Sequence, residues 1–396
     1  HDPIDYLTVV AELEQAGQKA ECGGQAYLTS LITRTPSALN VEGYGRIVER
    51  MALRRRLIEA AQRVVRVAHS DEPDIDEVIR LSHHALYEAF SGYGKQPAVR
   101  YTAAGLSREL RHEAVEWAAH PTHIRGWQCG WHDFDYNTGG LKEGWLVLIT
   151  GRPGEGKTQV LDYVCSGFAL NQVRTVIITL ETDAREYMRR AAVQRAQVPL
   201  TLIQEGHASI PQNSAYDKAL ADLEGVPLTI YDASGPDIPE LQAIVERHIM
   251  EVGPIDVLAI DTGDLISERA NEKSRYVGMS LVYGGLQAWA KASPYCIIVA
   301  AQLNRAALER AGGEGGVANI RATGKAEQDA SVILNLYRHS YHNPDDESDR
   351  RHMAWLRVGK HRYRRAGGKI PAYYDGDWPG FAPATKQTID LWKEMG

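Results

Sequence analysis

Cysteine is scarce in this chain: Cys22, Cys129, Cys165 and Cys296 are the whole set, and no C-x-x-C pair occurs among them. That scatter offers neither a zinc-ligand set nor a disulfide framework, and it points to a reducing cytoplasm. No apolar run approaches the roughly 20 residues that cross a bilayer, and no secretory leader is visible, so no membrane association is expected. Low-complexity tracts and internal repeats are also missing, which excludes a repeat array. There is no excess of positive charge either: 44 Lys and Arg stand against 51 Asp and Glu, a formal net charge of −7. This total does not announce a nucleic-acid binder, although a ring or channel could concentrate positive charge on one surface beneath it. The chain opens at His1 rather than Met, which leaves room for residues upstream.

What is present has an ordinary globular composition, 44% apolar and 24% charged, in 396 residues. That length suffices for two or three domains. Residues 1–95 read as a small all-helical domain. Residues 8–17 space Val9, Val10 and Leu13 helically and end on glycine. Residues 27–32 are apolar-periodic until Thr35-Pro36-Ser37 breaks the pattern. Residues 41–68 carry a longer amphipathic pattern, with Ile47, Met51, Leu53, Leu57, Ala60 and Val64 near one face, and residues 75–90 carry another. The pair could pack against itself or against a partner, and periodicity does not choose. Gly92, Gly94 and Pro97 mark a linker around residues 91–103. Residues 96–122 form a linker region holding one more short helix, 106–119, ended by His120-Pro121. A helix tethered this way must bury its apolar side, on its own domain or on a neighbouring subunit.

From about residue 123 to residue 396 the texture changes. Apolar runs at 146–150, 176–180, 228–231, 257–261, 296–301, 332–337 and 355–358 alternate with helical or loop segments. That alternation predicts an α/β fold: a mostly parallel sheet with helices on both faces.

Gly151-Arg152-Pro153-Gly154-Glu155-Gly156-Lys157-Thr158 fits the nucleotide-binding pattern G-x-x-x-x-G-K-S/T. A buried strand leads in, and a helical pattern at 158–170 leads out. Glycines let the backbone curl so that successive N–H groups surround a phosphate, and the helix N-terminus adds partial positive charge. Gly151, Pro153, Gly154, Glu155, Gly156 and the following Gln159 are the expected nucleotide contacts. Lys157 would reach the β- and γ-phosphates, and the Thr158 hydroxyl would hold Mg²⁺.

In an open parallel sheet, ligands gather at the carboxyl ends of the strands. Glu181, at the end of the second strand, could polarise the water that attacks a γ-phosphate, though strand-end glutamates are common. Asp261 ends the fourth strand after an apolar run and matches the acid that orients Mg²⁺ through its water shell. Gln302, at the end of the fifth strand, could feel a γ-phosphate or be a plain polar terminus. Asn319-Ile320-Arg321-Ala322-Thr323-Gly324-Lys325 could offer backbone N–H groups and two cations to phosphates. Lys360-His361-Arg362-Tyr363-Arg364-Arg365 reads as a basic run after the last strong strand, with Lys369 beyond. Such a run is usually solvated surface, but its Arg–Tyr interleaving also suits nucleic acid or the γ-phosphate of a neighbouring subunit.

Taken together, these stretches resemble the DnaB-type replicative helicases of bacteria and phages, whose motor domain is RecA-like. The resemblance is carried by Gly139-Gly140-Leu141, the phosphate loop, Leu180-Glu181, Ile260-Asp261 and Ala301-Gln302-Leu303-Asn304-Arg305. It continues through Arg321-Ala322-Thr323-Gly324-Lys325-Ala326-Glu327-Gln328-Asp329-Ala330 and Gly359-Lys360-His361-Arg362. Residues 5–17, Gly23-Gly24 through residue 31, and Thr35-Pro36-Ser37-Ala38 resemble the later half of the family's helical N-terminal domain, and the earlier half has no counterpart here. The chain departs from the family pattern at Thr262-Gly263-Asp264, where an aromatic and a glutamine are usual, and at Ala322, where an acid is usual.

The resemblance implies a hexameric, ATP-driven DNA helicase moving 5′-to-3′ on single-stranded or forked DNA, in a bacterial cytoplasm. Primase and a helicase loader are the further partners it suggests. ATP and Mg²⁺ would be held by Lys157, Thr158 and Asp261, Glu181 would activate water, and Gln302 would sense the γ-phosphate. Arg362, with Lys360, would reach the next subunit's site as an arginine finger. Arg321, Gly324 and Lys325 would lie on the DNA-tracking loop, and the linker helix would dock on a neighbour. Two rival readings are a RecA-like DNA-dependent ATPase that does not unwind, and an adaptor that uses nucleotide only to hold a ring together.

Overall fold

The structure, a computed structural model, describes residues 41–70, 102–266, 275–302, 329–378 and 380–394, with isolated positions between 13 and 89. Apart from Leu13 and Tyr27, which are helical, the expected helices at 8–17 and 27–32 and the break at 35–37 lie outside the described residues. So do linker residues 91–101 and the loop at 319–325. The chain divides into two compact units, His1–Val99 and Arg100–Gly396.

In the first unit, α1 (Val41–Ala68) has the bounds its periodicity predicts. Its inward stripe is narrower than expected. Half-buried Leu53, Leu57 and Val64 flank the fully buried Ala60, while Met51 is 41% exposed. Every described residue between 75 and 89 is helical.

The second unit opens with α2 (Ala103–Ala119), which starts one turn earlier than the periodicity suggests. Thr102 is the reason: its hydroxyl accepts the Gly105 N–H at 3.1 Å and caps the first turn. Chain order then runs α3 (His132–Thr138), β1 (Leu146–Gly151), α4 (Lys157–Leu170), β2 (Thr175–Thr179), α5 (Ala184–Ala196), α6 (Leu200–Gln204) and α7 (Ile210–Glu224). It continues with β3 (Leu228–Asp232), α8 (Ile238–Glu251), β4 (Val257–Asp261), α9 (Arg275–Ala292) and β5 (Cys296–Gln302). The last part holds β6 (Val332–Arg338), α10 (His339–His342), β7 (Met353–His361), β8 (Lys369–Asp375), β9 (Gly380–Pro383) and α11 (Lys386–Glu394).

The described strands form one sheet in the order β3-β2-β4-β5-β1-β6-β7-β8-β9. Pairing from β3 to β6 is parallel. From β6 to β9 it is antiparallel. Strands β1, β2 and β4 are buried along their whole length, as crossovers on both faces require. Alternate residues feed two cores. Val147, Ile149 and Ile177 meet Val160, Leu161, Val164 and Phe168 of α4 on one face. On the other, Leu146, Leu148 and Ile178 meet Leu241 and Val245 of α8 and Val282, Leu286 and Trp289 of α9. Burying a side chain the size of Leu161 or Phe168 stabilises by about 1.5–3 kcal/mol. The layered α/β, RecA-like architecture is therefore present.

Two expectations need correction. Strands β8 and β9 lie beyond the apolar runs that mark strands in the sequence, because β8 is only partly buried, β9 is only four residues long, and both contain proline, Pro371 and Pro383. The basic run does not follow the last strong strand. Lys360 and His361 belong to β7, which keeps pairing with β6 past a bulge at Ile333/Leu334. His361 is buried and hydrogen-bonds the Thr138 carbonyl through Nε2 at 2.9 Å, so part of this run is core.

Candidate nucleotide site

The phosphate loop occupies the turn from β1 into α4. Gly156 stands at the N-cap of α4 with φ 109°, a left-handed conformation that L side chains rarely adopt. A Cβ there would also fall 2.6 Å from the Phe381 ring. Lys157 is buried, and its Nζ donates to the carbonyls of Gly151 at 3.2 Å and Arg152 at 3.0 Å. An ammonium has three protons, so one remains to offer a phosphate oxygen. Burial pulls the Lys157 pKa below its ordinary value, against the opposing fields of Asp264, Glu155, Asp261 and Glu181.

The Thr158 hydroxyl donates to Asp261 Oδ1 at 2.9 Å. The other carboxylate oxygen of Asp261, Oδ2, is buried with no hydrogen-bond partner. Burial pushes the Asp261 pKa up, while the Thr158 bond and the cations Arg190 and Lys157 pull it down. An orphaned buried carboxylate oxygen beside a threonine hydroxyl fits a hydrated Mg²⁺, which prefers few protein ligands and keeps several waters. Among the described residues no group of three or more His, Cys, Asp or Glu could hold a metal ion.

Pro153, Gly154, Gly156, Lys157, Thr158, Gln159, Glu181 and Gln302 all border one cleft of about 520 Å³. Three strand ends, those of β1, β2 and β5, thus converge. Gly151 and Glu155 do not border it. Glu155 is 2% exposed; its Oε2 accepts the Arg152 N–H at 2.6 Å, and its Oε1 lies 2.9 Å from His342 Nε2. The Glu155 side chain braces the loop from behind.

Sequence reasoning missed Thr182, Arg190, Thr262, Arg338 and Tyr374, which complete the cleft wall. Arg190 on α5 lies 3.0 Å from Oδ2 of the fully buried Asp162 on α4. Burial drives the Asp162 carboxyl well above the usual range, and Arg190 opposes that rise. The Arg338 guanidinium sits 4.4 Å above the Tyr374 ring. Thr182 and Thr262 directly follow Glu181 and Asp261, whereas spacing alone does not give Arg190, Arg338 or Tyr374, which come from elements remote from the phosphate loop in sequence.

Arg362 and Lys360 are absent from the cleft lining. At the end of β7, the Arg362 guanidinium donates to the Asp329 carbonyl at 3.1 Å, and its backbone N–H to the Ser331 carbonyl at 2.9 Å. Arg364 turns inward, donating to the carbonyls of His123 and Tyr136. Its guanidinium fills the space a Cβ on Gly139 would need, and the Gly126 backbone fills that of Gly140, which gives Gly139-Gly140 a packing reason. Arg321, Gly324 and Lys325 lie outside the described residues.

A RecA-like sheet with a G-x-x-x-x-G-K-T turn at the mouth of β1 and a buried acid at the end of β4 has the architecture of the phosphate-loop class of proteins. The chain belongs to the DnaB-like helicase family. The family model of the DnaB-like helicase C terminal domain matches residues 126–382, and that of the DnaB-like helicase N terminal domain matches residues 1–50. The replicative DNA helicase DnaB of Leifsonia xyli subsp. xyli (strain CTCB07) is 29% identical over 363 residues, spanning 91% of this chain and 78% of that protein. The replicative DNA helicase DnaB of Haemophilus influenzae (strain ATCC 51907 / DSM 11121 / KW20 / Rd) is 26% identical over 397 residues, spanning 97% and 83%. A solved structure described as a DnaB-like replicative helicase and its interactions with primase matches with TM-score 0.65 at 20% identity, over 96% of this chain and 88% of that one. A second solved structure, described as an ATPase domain, matches with TM-score 0.64 at 21% identity, over 71% of this chain and 99% of that one. At such identities the two structures speak to the fold alone.

Proposed function

We propose that this protein is a replicative DNA helicase that works as a hexameric ring, hydrolysing ATP to move 5′-to-3′ along single-stranded DNA and part a fork. The observation that carries the reading is the single cleft in which Lys157, Thr158, Glu181 and Gln302 meet. The curved loop and the α4 N-terminus would cradle the β- and γ-phosphates, with Lys157 turning its spare proton toward them. Mg²⁺, held by Thr158 and through water by Asp261, would neutralise charge on the phosphate oxygens. Glu181 would accept a proton from the attacking water, and the Gln302 amide would contact the γ-phosphate. The flat pair of Arg338 and Tyr374 suits the nucleotide base.

Arg362 and Lys360 stand outside this cleft, which supports their delivery to the site of a neighbouring copy. Helix α2 buries none of its own residues and leaves Leu110 60% and Val115 69% exposed, which supports a neighbour as its partner. Arg321, Gly324 and Lys325 would grip the DNA backbone, so binding should weaken steeply with salt. Primase and a loader are the remaining partners we assign. Strand displacement on a forked duplex tests the reading, with Glu181→Gln as the inactive control. DNA-stimulated hydrolysis without displacement would favour a non-unwinding ATPase. A ring with no turnover would favour a nucleotide-held adaptor.

A further inference from the structure

We propose that Asp264 is a positioning residue that fixes the main chain of Gln302, and so sets where that side chain meets the γ-phosphate. This rests on Gln302 being the γ-phosphate sensor. Regular pairing between β4 and β5 ends at Ile260↔Val299. Past that point, side chains take over from the ladder. The Thr262 hydroxyl donates to the Ala300 carbonyl at 2.8 Å, and the Gln302 N–H donates to Asp264 Oδ2 at 2.7 Å. Thr262 Oγ1 also lies 3.3 Å from the same Asp264 oxygen. A metal-side strand end and a sensor-side strand end are thereby joined by one carboxylate.

The turn that presents Asp264 is held in place. Asp264 belongs to a single 3₁₀ turn, Gly263–Leu265, directly after β4. A Cβ on Gly263 would fall 2.7 Å from Val299 Cγ1, so the turn is pressed onto β5 with no space for a larger residue. The acceptor is charged, and a charged acceptor holds an N–H more tightly than a neutral one. Gln302 pairs with Gly151 at the base of the phosphate loop, so a shift of Gln302 is a shift relative to that loop. Asp264 falls within the tripeptide Thr262-Gly263-Asp264, which departs from the family pattern.

The test compares Asp264→Ala, Asp264→Asn and Gln302→Ala in the full chain with Mg²⁺. Binding of ADP and of a non-hydrolysable ATP analogue is measured by titration, alongside kcat and KM. Asp264→Ala should leave ADP affinity within about twofold, yet lose roughly 10- to 100-fold both in preference for triphosphate over diphosphate and in kcat. Asp264→Asn keeps an acceptor oxygen and a near-identical shape, and should recover most of the loss. If Gln302→Ala erases the triphosphate preference while Asp264→Ala retains it, the positioning role is wrong. If Gln302→Ala itself leaves the preference intact, the sensor reading fails and takes this proposal with it. Equal loss of ADP and triphosphate binding in both Asp264 variants would make the residue a structural brace and would likewise overturn the proposal.

Discussion

His342 Nε2 lies 2.9 Å from Glu155 Oε1, tying the phosphate loop to the helix that follows β6. The His342 ring is stacked on Tyr337 at 4.7 Å, and Tyr337 is stacked on Trp355 at 4.0 Å. The loop is thus anchored through an aromatic stack to the antiparallel side of the sheet. Glycines permit the curl of the loop, but this carboxylate selects one curl by accepting the Arg152 N–H as well.

Removing that brace should weaken nucleotide binding before it harms the fold. Glu155→Ala strands the Arg152 N–H and His342, and an unmet buried polar group costs about 1–3 kcal/mol. Nucleotide affinity, read by calorimetric titration, should fall roughly tenfold, since each 1.4 kcal/mol is one decade. His342→Ala should act in the same direction and more weakly. Unchanged affinity in both would show the brace to be idle.

Asp261 makes a prediction about pH. Burial raises its carboxyl pKa above the ordinary 3.8, so the folded chain holds that proton more tightly than the unfolded chain. Stability from this group is fully present below the ordinary value and lost as pH rises through the raised one. At neutral pH the ionised carboxylate therefore opposes folding unless Mg²⁺ meets it. Asp261→Asn, melted without Mg²⁺ at pH 7, should be a few degrees more stable than the parent. The gain should shrink as pH falls toward the ordinary carboxylate range, and added Mg²⁺ with nucleotide should stabilise the variant far less. A variant that melts lower than the parent at pH 7 would contradict this.

The parts of this architecture that the amino-acid order discloses are those where one physical cause dominates. Leu146 to Thr150 and Val257 to Ile260 are buried on both faces, so their strands appear as unbroken apolar runs. Lys369 and Tyr373 of β8 alternate with buried Ile370 and Ala372 around a proline, a pattern too short and too mixed to separate from a loop. Lys360 is disguised by its basic neighbours, although β6 pairing carries it inside a strand. The same division holds in the cleft. Lys157 and Thr158 sit in a motif whose spacing encodes its geometry, whereas Arg190, Arg338 and Tyr374 are ordinary residues made neighbours by the sheet order.

Helix α2 offers a test of assembly. It has no buried residue, and Leu106, Leu110, Val115 and Trp117 are all at least 38% exposed. A short helix with a bare apolar side gains its stability from docking. Leu110→Glu should shift the population from hexamers to smaller species in native mass spectrometry with ATP and Mg²⁺, with little change in the melting of the isolated subunit. Hexamers that persist at the parent's concentration dependence would mean that α2 is not the clasp between copies.

The sharpest prediction concerns which copy supplies Arg362. If the guanidinium acts in a neighbour's cleft, Arg362→Ala should lower hydrolysis by roughly a thousandfold, the scale of a lost arginine finger, while leaving nucleotide affinity nearly intact. Lys157→Ala should lose binding instead. Each variant alone is inactive for a different reason, and the two defects lie on opposite sides of an interface. In rings assembled from an equal mixture, about one interface in four should join an intact phosphate loop to an intact Arg362, if copies mix at random in a cyclic assembly. Mixed rings should then recover a measurable part of the parental rate. Subunit exchange, followed by mass-labelled copies, must be shown in the same sample. Exchange without recovery would place Arg362 in service of its own chain, where it already holds the Asp329 carbonyl.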